Sequence, residues 1–118
     1  MTRVLLIDDD ANILDGLQDI LEDADCEVVK AASCAQALER LSPPPAIVIL
    51  DFNLPDGKGV DLAGQIRAKA PKARIVLMTG LSASDIKSAP DPTVIDTVLT
   101  KPIAVPVLLD LIRQAPKP

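Results

Sequence analysis

The chain has 118 residues, 48% of them hydrophobic, and carries 12 basic against 17 acidic side chains, a formal net charge of −5. That length suits a single domain with one core, and with Phe52 the sole aromatic the core must be Leu, Ile, Val and Ala. The acidic balance argues against nucleic-acid binding by this chain, because phosphate contacts need a basic face.

Residues 4–7 make a first buried strand that ends on Asp8, Asp9 and Asp10. Ile13, Leu14, Leu17, Ile20 and Leu21 then form an apolar stripe at helical spacing, with Asp10 or Asn12 capping its first turn. Cys26–Ala31 is a short second strand, and Ser33 opens a short helix whose buried face holds Ala37, Leu38 and Leu41. Pro43, Pro44 and Pro45 stop that helix. The uninterrupted apolar run 46–50 reads as a third strand buried on both faces. It delivers Asp51 to its C-terminal end, where Pro55, Asp56, Gly57 and Gly59 turn the chain. A third helix spans 60–70 with Val60, Ala63 and Ile66 on its inner face, and Pro71 ends it.

Residues 74–78 form a fourth strand handing over to Thr79 and Gly80, and a brief helix over 82–88 carries only Ile86 inward. The fifth strand, 94–99, reaches Thr100, Lys101 and Pro102. The last helix, 104–114, tolerates Pro106 in its first turn. It is expected to bury Val105, Leu108, Leu109 and Ile112 and to leave Val107 and Leu111 on its flank. Five strands alternating with five helices predict an α/β fold with a doubly wound parallel sheet, one domain over 1–118.

Cys26 and Cys34 are too few for a disulfide scaffold and lack zinc spacing, so both read as packing residues in a reducing compartment. The first apolar run is too short for a signal peptide, and no stretch approaches bilayer length. The expectation is a cytoplasmic protein without membrane contact. Met1 just ahead of the first strand reads as a natural N-terminus, and the chain as a stand-alone or excised domain.

Parallel strands place their C-terminal ends on one edge, where open α/β sheets bind ligands. The groups gathered there are Asp8 and Asp9, Asp51, Thr79 and Lys101. Singly, each has an ordinary reading: Asp51 as a turn former, Thr79 as a strand end, Lys101 as a surface lysine. Together, the carboxylates repel one another unless a cation is present, and oxygen ligands of this kind fit Mg²⁺. Lys101 and Thr79 supply a fixed charge and a hydroxyl donor for phosphoryl oxygens. The set suits transfer of a phosphoryl group to Asp51 as nucleophile.

In LLIDDD at 5–10, VILDFNLPDGKG at 48–59, MTG at 78–80 and LTKP at 99–102, the chain resembles the response-regulator receiver domains of two-component signalling. The resemblance covers essentially the whole chain and implies a flavodoxin-like (βα)5 fold with strand order 2-1-3-4-5. It implies Asp51 as phosphoacceptor, Asp9 as a direct Mg²⁺ ligand and Asp8 as an acid acting through a metal-bound water. It also implies the backbone carbonyl of Asn53 as a further ligand, Thr79 and Lys101 as phosphoryl contacts, and a cis bond between Lys101 and Pro102. The implied donor is a phosphohistidine on a sensor histidine kinase or histidine phosphotransfer protein. The implied output is an altered surface over 81–112 for a partner or a second copy.

Departures fall outside the chemistry. Val98 stands where receivers usually carry an aromatic, Lys58 replaces a frequent acid, and Pro92, Thr93 and Val94 replace a small-residue turn. Competing readings are a Mg²⁺-dependent phosphohydrolase, disfavoured because Asn53 stands where a general acid is needed; a flavin binder, disfavoured by the missing aromatics; and a degenerate receiver binding without phosphorylation.

Overall fold

The computed structural model of this protein describes residues 2–80, 94–101 and 103–114. Its main sheet has five parallel strands in the order β2-β1-β3-β6-β7. They are β1 (Thr2–Ile7), β2 (Cys26–Ala31), β3 (Ile47–Asp51), β6 (Arg74–Thr79) and β7 (Thr97–Thr100). Counted along the chain within this sheet, the order is the expected 2-1-3-4-5. A separate two-residue pairing, β4 (Asn53–Leu54) with β5 (Gly57–Lys58), forms a small antiparallel hairpin directly after β3. The described helices are α1 (Ala11–Asp23), α2 (Cys34–Glu39), α3 (Gly59–Lys69) and α4 (Val105–Arg113). The helix expected over 82–88 and the peptide bond to Pro102 lie outside the described residues.

Successive strand residues point to opposite faces, and each face has its own core. Leu5, Ile7, Val48, Leu50, Ile75 and Leu77 pack with α2 and α3 residues such as Ala37, Leu62 and Ile66. Val4, Leu6, Ile47, Ile49, Val76 and Met78 pack with Leu14, Leu17 and Leu21 of α1 and Leu108 and Leu111 of α4. The sheet is therefore covered on both sides, which is why β1 and β3 read as unbroken apolar runs.

Helix starts follow the capping chemistry. The Asp10 carboxylate accepts the Asn12 and Ile13 N–H groups, and Ser33 Oγ accepts Gln36 N–H at 3.2 Å. Asn12 is not the cap, because it already lies inside the first turn. Two expectations need correction. The fifth strand begins at Thr97 rather than at residue 94: Asp96 N–H still reaches Ile75 O at 2.9 Å, but side chains take the neighbouring bonds. Asp96 Oδ2 accepts Ile75 N–H at 2.8 Å, and Arg67 donates to Val94 O at 2.9 Å. In α4 the inward positions are Leu108 and Leu111, with Leu109 and Ile112 half-buried, whereas Val105 is 42% exposed. Val105 shares their register but sits in the first turn, past the core.

Candidate functional site

The C-terminal ends of β1, β3, β6 and β7 converge. β1 and β3 are hydrogen-bonded neighbours, and Asp8 follows the last paired residue of β1 while Asp51 ends β3. On the other side Asp51 is in register with Met78, and Thr79 with Thr100. Lys101 leaves β7 with its backbone N–H on Thr79 O at 2.7 Å. Asp8, Asp9, Asp51 and Lys101 come together at this edge, with Thr79 ending the strand beside Asp51, because parallel pairing leaves them no other end of the sheet.

Asp8, Asp51 and Thr79 are the buried polar or charged residues among those described. Lys101 Nζ lies 3.0 Å from Asp8 Oδ2 and 3.1 Å from Asp51 Oδ1, bridging the two acids. Asp8 Oδ1 also accepts Asp10 N–H at 3.0 Å, which fixes the carboxylate's orientation. Carboxylate oxygens of Asp8, Asp9 and Asp51 all lie within 4.8 Å of one another. Asp9 is exposed, so this cluster opens to solvent on its side.

Burial pushes the Asp51 carboxyl above the ordinary aspartate pKa; the Lys101 hydrogen bond works against this and the Asp8 charge adds to it. Burial alone would lower Lys101, yet its bonds to Asp8 and Asp51 outweigh that and hold its pKa above the usual lysine value. Three carboxylates against one ammonium leave the cleft short of positive charge. The donor set is all hard oxygen, which fits Mg²⁺ rather than a thiophilic ion.

The segment after Asp51 is tightly held. Phe52 N–H donates to Met78 O and Gly59 N–H to Phe52 O, both at 2.8 Å. Leu54 reaches the core while Asn53 is exposed at the start of the hairpin. Sequence reasoning passed over Gly59 except as a turn former. A Cβ there would sit 2.2 Å from the Asp51 carbonyl oxygen and 3.1 Å from Leu77 Cδ1, so only glycine lets α3 start so close to the acceptor. The role of Asp56 beyond a turn residue was also missed. Its carboxylate accepts Cys34 N–H at 2.8 Å and Ala35 N–H at 3.1 Å. A contact across that sequence separation leaves no local signal.

A family model for the response regulator receiver domain matches residues 4–113. The transcriptional regulatory protein KdpE of Mycobacterium tuberculosis is 38% identical over 116 residues, covering 98% of this chain and 51% of that protein. The chain thus spans about half the length of this curated relative. The crystal structure of a response regulator receiver domain protein from Clostridium thermocellum superposes with a TM-score of 0.86 at 25% identity, covering 96% of this chain and 92% of the other. The response regulator TrrA of Thermotoga maritima, crystallised in complex with Mg²⁺ and BeF, superposes at 0.82 with 29% identity, covering 97% and 98%.

Proposed function

This chain belongs to the response-regulator receiver domain family of two-component signalling, and from that premise we propose that Asp51 is its phosphoacceptor. The observation that carries the reading is the Asp51 carboxylate at the end of a fully buried strand, 3.1 Å from Lys101 Nζ and clustered with Asp8 and Asp9. The receiver is one domain over residues 1–118. It is a regulatory module that catalyses its own phosphorylation and dephosphorylation, not an enzyme acting on free substrates.

A carboxylate oxygen of Asp51 attacks the phosphorus of a phosphohistidine, the phosphorus–nitrogen bond breaks, and the donor ring, protonated beforehand on its other nitrogen, leaves as neutral imidazole. Asp8, Asp9, Asp51 and the Asn53 carbonyl would hold Mg²⁺, which when bound supplies neutralisation of the transferring oxygens. The Lys101 ammonium meets one phosphoryl oxygen and the Thr79 hydroxyl donates to another. Thr79 is buried and Lys101 is already held between Asp8 and Asp51, so these two groups need little rearrangement as charge shifts. The donor is a sensor histidine kinase or a histidine phosphotransfer protein. An apolar groove lined by Ile13, Gly16, Leu17, Ile20 and Ile103 opens beside Lys101 and supports a protein donor. The phosphorylated state alters the 81–112 surface, of which β7 and α4 are the described parts, for a partner or a second copy. That Mg²⁺ and BeF occupy the TrrA structure supports the same chemistry here. The proposed setting is the cytoplasm, where such a kinase would present its phosphohistidine; among the described residues no helix is long and apolar enough to cross a membrane.

The test is incubation with acetyl phosphate and Mg²⁺, followed by intact mass in neutral buffer. The wild type gains one phosphoryl group, Asp51→Asn gains none, and Asp9→Ala gains little because it loses a metal ligand. Equal uptake by wild type and Asp51→Asn overturns the assignment.

A further inference from the structure

Asp56 stands at the tip of the β4–β5 hairpin, outside the acid cluster, and the phosphoryl chemistry does not use it. Its two carboxylate oxygens nevertheless reach across to α2. Oδ1 accepts the N–H of Cys34 at 2.8 Å and Oδ2 that of Ala35 at 3.1 Å. These are first-turn amides of α2, which have no partner inside the helix. A second, independent feature holds the same two pieces together. Gly57 carries no side chain where a Cβ would meet Cys34 Sγ at 3.2 Å, so the sulfur closes over the hairpin. Leu54, buried in the core beneath, leaves the hairpin's inner side fixed as well.

The hairpin has only two paired positions, Asn53 with Lys58 and Leu54 with Gly57. A pairing that short has little stability of its own in water, so its position is set by what it is tied to. Asn53 heads it, directly after Phe52 and Asp51. We propose that Asp56 is a positioning residue for the metal site: by clipping the hairpin tip to the first turn of α2, it fixes where Asn53 presents its carbonyl. This rests on the reading of the cleft as a Mg²⁺ site. The clip also makes α2 part of the site's support, although neither Cys34 nor Glu39 of α2 belongs to the cluster of Asp8, Asp9 and Asp51.

The experiment compares Mg²⁺ affinity, by calorimetric titration of the full chain, in wild type, Asp56→Ala, Asp56→Asn and Asp9→Ala, with urea unfolding run in parallel. Asp56→Ala is expected to weaken Mg²⁺ about tenfold, the low end for outer-shell partners of metal ligands. Asp56→Asn keeps an acceptor oxygen for one amide and is expected to recover most of that loss. At saturating Mg²⁺ both variants should take up phosphoryl from acetyl phosphate as fast as wild type. Equal weakening in Asp56→Ala and Asp56→Asn would mean that only the lost charge matters, which overturns positioning. Unchanged affinity in Asp56→Ala alongside a lowered unfolding midpoint overturns it too, leaving a purely structural cap. Should Asp56→Ala not fold, Asp56→Ser, whose single hydroxyl is too short to span both amides, takes its place with the same expected loss. If Asp9→Ala binds Mg²⁺ like wild type, the metal-site reading itself falls and this inference with it; loss in Asp9→Ala with none at position 56 sinks this inference alone.

Discussion

β3 and β7 are both parallel strands of one sheet, yet they are built differently. β3 is paired on both sides, with β1 and β6, and its four aliphatic residues are wholly buried. β7 pairs only with β6 among the described strands, and its residues are half-buried or exposed. The central strand holds the acceptor, where a displacement of a fraction of an ångström matters most. The edge strand holds Lys101, whose long side chain reaches back to Asp8 and Asp51 from a less constrained backbone. Rigidity is thus concentrated under the nucleophile, and the edge is left with room to respond.

The largest expected effect tests that contrast directly. Ile49→Ala opens a cavity at the centre of the sheet and should cost about 2–5 kcal/mol. Val98→Ala, on the half-buried edge, should cost about 1 kcal/mol, since its methyl groups are only partly removed from water. Urea midpoints of the two variants decide it, and equal losses would abolish the distinction between centre and edge.

A smaller effect separates two glycines of α3. Gly59→Ala forces a Cβ against the Asp51 carbonyl and should destabilise by about 1–3 kcal/mol, slowing phosphorylation because the acceptor's own peptide must move. Gly64 has nothing within 4 Å of a built Cβ and sits mid-helix on the exposed side, so Gly64→Ala should stabilise by about 0.5–1 kcal/mol. Opposite signs from the same substitution, read by thermal unfolding, show that the constraint belongs to the acceptor's peptide and not to the helix. At the far end of the sheet, Asp96→Ala strands the buried Ile75 N–H and removes the Arg67 partner at 2.9 Å. A loss of about 1–3 kcal/mol is expected, with faster hydrogen exchange at the start of β7.

The same contrast governs how much of the molecule could be read from its sequence. Strands buried on both faces leave an unbroken apolar run, so β3 and β6 are legible almost to the residue, while β1 starts two residues before its apolar run, at the half-buried Thr2 and Arg3. Their C-terminal ends then deliver Asp8, Asp51 and Thr79 to one place by topology alone. Lys101 was legible as following the last strand. The start of that strand was not, because Asp96 and Arg67 satisfy the backbone with side chains, and a side chain's choice of partner leaves no periodicity. The face of α4 was misjudged for a related reason. Its apolar arc is wide, with Val105, Val107, Leu108, Leu109, Leu111 and Ile112 in a short span, and Leu111 and Val105 flank its centre at Leu108, so spacing alone does not select Leu111 over Val105. Gly59 and Asp56 act through tertiary contacts, which local sequence does not encode.

The smallest expected effect concerns two aspartates, Asp51 at the end of β3 and Asp56 in the hairpin that follows. Asp51 lies on the cleft floor, where burial and the Asp8 charge raise its pKa against the pull of Lys101. The folded protein therefore holds this proton more readily than the unfolded chain. Its stabilising contribution is full below the ordinary aspartate value and is lost as pH rises through the raised folded value. Asp56 is exposed, and the backbone N–H groups of Cys34 and Ala35 lower its pKa. Its contribution has the opposite sense: present above the ordinary aspartate value and lost as pH falls through the depressed folded value. Without Mg²⁺, Asp51→Asn should then be more stable than wild type at neutral pH, and Asp56→Asn less stable. Both differences should shrink as pH falls toward about 3, below the usual aspartate range. The Asp56 arm is the weaker, because solvent screens an exposed carboxylate. Urea midpoints measured across this range give both slopes. Adding Mg²⁺ should reverse the Asp51 arm alone, since the ion stabilises the wild type more than a variant that has lost a charged ligand. Two arms of the same sign would mean that position in the cleft, and not burial against capping, sets how these acids answer to pH.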